Sequence, residues 1–135
     1  MGTVVLDSSI VLGFLERGDA HNATATSVVR ELHADGFTFL LPSTVLAEVL
    51  VGESRRGESS VTKRRAMLRQ VFGPTRVIDD NVAAHAAQLR ATHRSLRLPD
   101  ALVIATGIVE DAASILTADK RWAAVDDRVR VIEPG

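Results

Sequence analysis

Cysteine is absent from this 135-residue chain, and no apolar run in it is long enough to cross a membrane. Without cysteine there are no disulfides, no thiolate zinc site and no cysteine nucleophile. The longest apolar stretch, residues 101–109, is far shorter than the roughly 20 residues that a spanning helix needs. Asp7 interrupts the apolar N-terminus and no basic region precedes it, so we expect no signal peptide. These absences predict a soluble, cytoplasmic protein without membrane association.

Several common catalytic motifs are missing as well. The chain contains no G-x-S-x-G, Walker A, H-E-x-x-H or G-x-G-x-x-G pattern. No two histidines lie four residues apart, and we interpret all of them as surface or structurally satisfied residues; they are His21, His33, His85 and His93. Trp122 and the four phenylalanines are interpreted as core residues rather than base-stacking platforms.

The net charge of −1 does not give the whole chain the basic character of a dedicated nucleic-acid binder. Basic residues nevertheless crowd one short segment, which contains Arg55, Arg56, Lys63, Arg64, Arg65 and Arg69. Arginine is the side chain better suited to forked phosphate contacts. Two interpretations remain open for this segment: a solvated helix face, or a surface that contacts phosphates.

The pattern of apolar and polar residues predicts alternating strands and helices within one domain, residues 1–135. Strands are predicted at 3–6, 37–41, 75–78 and 114–117, with a possible fifth at 129–132. Helices are predicted at 10–15, 22–34, from Ser43 as N-cap through 50, at 61–72, 81–93 and 99–112, with a polar break at 52–60. This alternation is typical of an α/β fold with a mostly parallel sheet of four to five strands and helices on both faces.

Acidic residues follow two of the predicted strands. Asp7 comes directly after the first strand, and Asp119 comes just after the strand at 114–117. In open parallel sheets, ligand sites form at the carboxyl ends of the strands. Each of these residues could also serve only as a helix N-cap. The paired acids Asp79 and Asp80 are interpreted as such caps.

Two further acids lie in apolar segments. Glu48 is surrounded in sequence by Val45, Leu46, Val49 and Leu50, and Asp100 begins an apolar helix. A buried carboxylate is costly unless it has a partner, so each of them needs an arginine or a bound cation. Asp126 and Asp127 are interpreted as residues of a polar turn.

We therefore expect Asp7, Glu48, Asp100 and Asp119 to converge at one edge of the sheet. Carboxylates this close together repel unless a cation compensates them. Oxygen ligands without cysteine select hard ions such as Mg²⁺ or Mn²⁺. Such an ion polarises a phosphoryl oxygen and lowers the pKa of a bound water, which makes a phosphodiester the natural substrate.

Four segments of the chain resemble motifs of the PIN-domain family, in particular its small VapC-type toxins. The segments are residues 4–9 with Asp7, 42–49 with Glu48, 98–105 with Asp100, and 116–122 with Asp119. They occur in the family's order and with suitable spacing over essentially the whole chain.

The resemblance implies an endoribonuclease that uses Mg²⁺ or Mn²⁺ and cuts RNA through a metal-activated water. It places Asp7, Glu48, Asp100 and Asp119 around the ion and suggests Ser9 and Thr117 as hydroxyls that orient the carboxylates. It also implies a homodimer and a small VapB-like antitoxin partner. Arg55, Arg56, Arg64 and Arg65 then become candidates for RNA or antitoxin contact.

Two alternatives are weighed against the nuclease. The first is a PIN-like module that binds RNA or protein without cutting. The second is a phosphotransfer domain, either a receiver or an aspartyl phosphatase. Ser8 and Ser9 stand where those domains need further acids, which argues against the second alternative.

Overall fold

This computed structural model describes residues 2–135, in which two helices separate the first two strands and four helices separate the second strand from the third. The strands are β1 (Thr3–Leu6), β2 (Thr38–Leu40), β3 (Ser114–Thr117) and β4 (Val129–Val131). The helices are α1 (Ser8–Leu15), α2 (Asn22–Ala34), α3 (Ser43–Arg56), α4 (Glu58–Phe72), α5 (Asp80–Thr92) and α6 (Leu98–Val109). A short 3₁₀ helix, Lys120–Ala124, lies between β3 and β4.

The four strands form one parallel sheet in the order β2-β1-β3-β4. Strand β1 is central, and its Val5 lies between Leu40 of β2 and Ile115 of β3. Apolar β-branched residues suit a strand that is covered on both faces. The predicted parallel α/β fold is confirmed, and the carboxyl ends of β1 and β3 lie side by side where Leu6 pairs with Leu116.

The strand predicted at residues 75–78 is wrong. Only one isolated bridge forms there, between Pro42 and Arg76, and Val77 is 67% exposed. Strand β2 ends at Leu40, and α3 begins at Ser43, so no extended neighbour is available for a longer ladder. Proline also lacks the N–H that continued pairing would require.

The polar break predicted at 52–60 is also wrong, because α3 continues to Arg56 and α4 begins at Glu58. Only Gly57 separates the two helices, with a φ of 130° that favours glycine. Gly52 and Ser54 lie on exposed positions of α3, and the Ser54 hydroxyl donates to the Leu50 carbonyl over 2.8 Å. Polar composition therefore marked a solvated helix surface rather than a loop.

Ser43 does not cap α3 as predicted. It is the first residue of the helix, and its hydroxyl instead accepts a hydrogen bond from the Ile78 N–H at 3.2 Å. Asp79 does cap α5, through a 3.0 Å bond from the Val82 N–H. The polar-turn assignment of Asp126 agrees with its acceptance of the Arg128 N–H at 2.9 Å.

The core lies between the sheet and the helices that cover it. Trp122, Phe39 and Phe72 are buried, as predicted for the aromatic residues, and Phe14 and Phe37 pack against them at its margin. No helix within residues 2–135 has the combination of length and apolar character that crossing a membrane requires.

Helix α6, which carries Asp100, packs very closely on the sheet. A Cβ atom added at Gly107 would collide with the side chain of Ile115. The absence of a side chain at this position thus lets α6 lie against β3 and holds Asp100 near the carboxyl ends of the strands.

Candidate active site

Asp7 is the most buried acid of the site, with only 7% of its surface exposed. It caps α1 by accepting the Ser8 N–H at 2.8 Å, and its other oxygen accepts the hydroxyls of Ser9 at 3.0 Å and Thr117 at 2.8 Å. Burial raises the pKa of Asp7 to about 6; these hydrogen bonds oppose the rise, and the charge of Asp100 adds to it. No basic side chain within residues 2–135 forms an ion pair with Asp7. Its negative charge is therefore uncompensated.

The two hydroxyls that contact Asp7 also bind the loop after β3. Thr117 accepts the Asp119 N–H at 3.1 Å, and Ser9 accepts the Ala118 N–H at 3.1 Å. Each hydroxyl thus links the carboxylate after β1 to the backbone after β3. This connection fixes the orientation of Asp7 and the start of the segment that carries Asp119.

Asp119 caps the 3₁₀ helix and is held by an arginine fork. Its Oδ1 accepts from the Arg121 N–H and Nε, both at 3.0 Å, and its Oδ2 accepts from Arg121 Nη2 at 2.7 Å. The side-chain hydrogen bonds of Arg121 lower the pKa of Asp119 below its ordinary value. Unlike Asp7, this carboxylate carries its own counter-ion.

Asp100 lies in the first turn of α6, and only 14% of its side chain is exposed. Arg97 approaches its Oδ2 with Nε at 3.4 Å. The hydrogen bonds to Asp119 raise the pKa of Arg121, and the charge of Asp100 adds to that rise as it does for Asp7, so Asp100 lies near both groups. A cavity of about 110 Å³ is lined by both Asp100 and Asp119, together with His93, Ser95 and Trp122.

The prediction that Glu48 is buried among apolar neighbours is wrong, because Glu48 is exposed. It lies on an exposed face of α3 that also includes Ala47 and Val51, the latter 48% exposed. Ser8 donates its hydroxyl to Glu48 Oε2 at 3.2 Å, so the carboxylate is still next to the start of α1. Apolar neighbours in the sequence do not bury Glu48, because they include residues on the uncovered side of the helix.

Oxygen donors of this kind fit a hard divalent cation in their chemistry, and Asp7 lacks a compensating charge. In their present positions, however, no three acidic or histidine side chains of residues 2–135 form a group that could hold one ion. Asp119 and Asp100 are instead hydrogen-bonded to arginines, and Glu48 to Ser8. The structure brings the four predicted acids into neighbouring segments without forming a shared ligand set.

The basic segment predicted for RNA or antitoxin contact divides between two surfaces. Arg56 and Arg64 contact Glu53 at 3.7 and 3.2 Å and line a cavity of about 250 Å³ that reaches Glu48. Arg65 lines a separate groove of about 280 Å³ with Arg69, and Arg55 is exposed. Of the basic segment, Arg56 and Arg64 thus line a cavity with one of the four acids.

Sequence reasoning missed Arg97 and Arg121, the two arginines that contact the site. Each lies within three residues of an acid, Arg97 before Asp100 and Arg121 after Asp119. That spacing at the start of a helical turn was the available signal. It was obscured because the chain contains fourteen arginines.

The sequence model of the PIN domain matches residues 4–128, and the chain belongs to the PIN domain family. VapBC2 from Rickettsia felis, solved bound to a promoter DNA fragment, has 18% identity and a TM-score of 0.77 over 97% of this chain and 99% of the other. A toxin–antitoxin complex from Klebsiella pneumoniae has 22% identity and a TM-score of 0.73, covering 95% and 96% of the two chains. VapC20 from Mycobacterium tuberculosis, described as a sarcin–ricin loop cleaving toxin, has 18% identity and a TM-score of 0.70, covering 90% and 93%. No curated protein matches the chain by sequence.

Proposed function

We propose that this PIN-domain protein is a metal-dependent endoribonuclease that acts in the cytoplasm as the toxin of a type II toxin–antitoxin pair. The observation that carries the proposal is Asp7, a buried carboxylate with no counter-ion at the carboxyl end of the central strand. Three more acids lie in the segments around it. A fold that keeps such a charge uncompensated is prepared for a cation or for a proton.

The acids assigned to the ion are Asp7, Asp100, Asp119 and Glu48, and the expected ion is Mg²⁺ or Mn²⁺. When bound, the ion would neutralise the carboxylates, lower the pKa of a water and stabilise charge on the leaving oxygen of a phosphodiester. Ser9 and Thr117 hold Asp7 in one orientation through hydrogen bonds of 3.0 and 2.8 Å.

The toxin assignment draws on the structural neighbours. VapBC2 from Rickettsia felis and the Klebsiella pneumoniae protein were solved as toxin–antitoxin assemblies, and VapC20 is described as cleaving the sarcin–ricin loop. By analogy we expect a small VapB-like antitoxin partner, an RNA substrate and a homodimer. Arg56 and Arg64, beside Glu48, are the members of the basic segment best placed for RNA or antitoxin contact.

The decisive experiment is RNA cleavage by the purified protein with Mg²⁺ or Mn²⁺. We expect cleavage that EDTA abolishes and that Asp7→Asn eliminates. Asp127→Asn is the matched control, because Asp127 is exposed in a turn away from the carboxyl ends of β1 and β3. This variant should cut RNA at the wild-type rate. If the protein binds the metal but cleaves no RNA, the nuclease proposal is wrong.

The runner-up function is a PIN-like module that binds RNA or protein and does not cut. Two observations favour it: Asp100 and Asp119 are paired with arginines, and no three acidic or histidine side chains of residues 2–135 are arranged to hold one ion. This module would bind RNA equally well with Mn²⁺ or with EDTA. The nuclease, in contrast, would cut the RNA, and only when the ion is present.

A further inference from the structure

Two arginines occupy the acids that the proposed function assigns to a cation. Arg121 holds both carboxylate oxygens of Asp119 with three hydrogen bonds of 2.7 to 3.0 Å. Arg97 reaches Asp100 with a single bond of 3.4 Å. The side chains of Arg121 and Arg97 are 75% and 73% exposed, whereas those of Asp119 and Asp100 are 26% and 14% exposed. The carboxylates are thus anchored and the arginines are free to leave them.

The guanidinium of Arg121 and a divalent cation would bind the same two carboxylate oxygens of Asp119. Both oxygens of this carboxylate already accept hydrogen bonds from the guanidinium. A cation bound to those oxygens would be repelled by a guanidinium at the same distance. Arg121 must therefore move away when a cation takes Asp119.

A displaced Arg121 would remain at the edge of the site, next to the place where a phosphodiester must bind. The planar fork that matches a carboxylate also matches a phosphate, with two parallel hydrogen bonds. The adjacent Lys120 is not equivalent, because its ammonium lies 3.6 Å from Glu133 and contacts none of the four acids.

We propose that Arg121 is a positioning residue that exchanges anions: it neutralises Asp119 in the cation-free protein and contacts an RNA phosphate once a cation occupies the site. This inference rests on the proposed nuclease function and adds a specific residue to it. An exposed ion pair changes an equilibrium only about 1.4- to 5-fold. Arg121 can therefore protect the acids without preventing cation binding.

The test compares Arg121→Gln with Lys120→Gln, which removes the same charge one residue away. Mn²⁺ affinity is measured by isothermal titration calorimetry on the full chain. We expect Arg121→Gln to bind Mn²⁺ about 1.4- to 5-fold more tightly than Lys120→Gln, because only the former frees the oxygens of Asp119. Arg121→Lys, which keeps the charge and loses the fork, should fall between Arg121→Gln and the wild type.

The second measurement is the KM for a fluorogenic single-stranded RNA at saturating Mn²⁺. Arg121→Gln should raise KM about three- to tenfold relative to Lys120→Gln, since a phosphate contact is lost. Tighter metal binding combined with weaker RNA binding is a signature that a merely structural arginine would not produce. Thermal unfolding of each variant checks that the fold is intact.

The proposed exchange by Arg121 is wrong if Arg121→Gln binds Mn²⁺ no more tightly than Lys120→Gln. It is also wrong if the KM is unchanged. If the wild type itself binds Mn²⁺ and cuts RNA while these contrasts fail, only the role of Arg121 is wrong. If the wild type neither binds Mn²⁺ nor cuts RNA, the nuclease proposal fails and this inference falls with it.

Discussion

Asp7 and Glu53 are two carboxylates that both accept hydroxyl hydrogen bonds, yet their pKa values move in opposite directions. Glu53 accepts from the Ser60 hydroxyl and pairs with Arg64 and Arg56, and the Ser60 bond is the largest cause of its lowered pKa. Asp7 accepts from Ser9 and Thr117, but its burial outweighs these bonds and raises its pKa to about 6. Asp7 is 7% exposed and has no arginine partner, whereas the side chain of Glu53 is 13% exposed and pairs with two arginines.

The comparison separates an acid whose charge the chain satisfies from one whose charge it leaves uncompensated. Glu53 joins α3 to α4 across the single residue Gly57, and its charge is satisfied by the chain itself. Asp7 lies at the carboxyl end of the inner strand β1, and no basic side chain of residues 2–135 pairs with it. Glu53, which already has a serine and two arginine partners, has little to offer a ligand, whereas the uncompensated Asp7 has a strong preference for a cation.

The largest expected effect is on RNA cleavage. Asp7→Asn should lower the rate at least about 100-fold, because charge compensation around a catalytic ion is worth several kcal/mol. Glu53→Gln is the matched change in the structural cluster and should lower the rate far less than Asp7→Asn, because Glu53 contacts Ser60, Arg56 and Arg64 and none of the four acids. Comparable losses in both variants would erase the distinction between the two regions. Initial rates with Mn²⁺ provide the measurement.

The next effect is on stability as a function of pH in metal-free buffer. The pKa of Asp7 is raised in the folded state, so the fold binds the extra proton between about pH 4 and 6 and loses stability as the pH rises through that range. Asp7→Asn should remove this slope and stabilise the protein at pH 7 by about 1–3 kcal/mol. Urea unfolding at several pH values tests it, and an unchanged slope in Asp7→Asn would show that Asp7 is not the group responsible.

The orienting hydroxyl of Thr117 provides a smaller effect. Thr117→Val keeps the shape of this fully buried side chain but deprives Asp7 and the Asp119 N–H of a hydrogen-bond partner. We expect a loss of about 1–2 kcal/mol of stability and a further rise in the pKa of Asp7. Urea unfolding at pH 5 and pH 8 measures both, because the added cost should be greater where Asp7 is ionised. A cost that is the same at both pH values would indicate a packing role alone.

The smallest effect is expected from Glu53→Gln on stability. The lowered pKa of Glu53 means that its contribution is present at neutral pH and is lost as the pH falls through its folded-state value, the opposite of Asp7. The variant should melt slightly below the wild type at pH 7 and match it in strong acid. A variant that melts higher at pH 7 would place Glu53 with the uncompensated acids.

The errors of sequence reasoning have a common physical origin. Glu48 was expected to be buried because apolar residues precede and follow it, but a helix buries only the face that its neighbours cover. Residues 75–78 have the composition of a strand, but only Arg76 finds a partner, at Pro42. In both cases the local composition suggested burial or pairing, but the sequence does not show which other segment packs against these residues.

The sequence by itself determined the parallel α/β architecture and the position of Asp7 and Asp119 after strands, and it predicts hard-ion chemistry rather than cysteine or histidine chemistry. These properties follow from periodicity, chain order and the available side chains. Only the tertiary structure decided which acids are compensated: burial between β1 and β3 leaves Asp7 without a counter-ion, while Arg121 reaches Asp119. Compensation depends on distances of a few ångströms between groups from separate elements, and no local pattern encodes those distances.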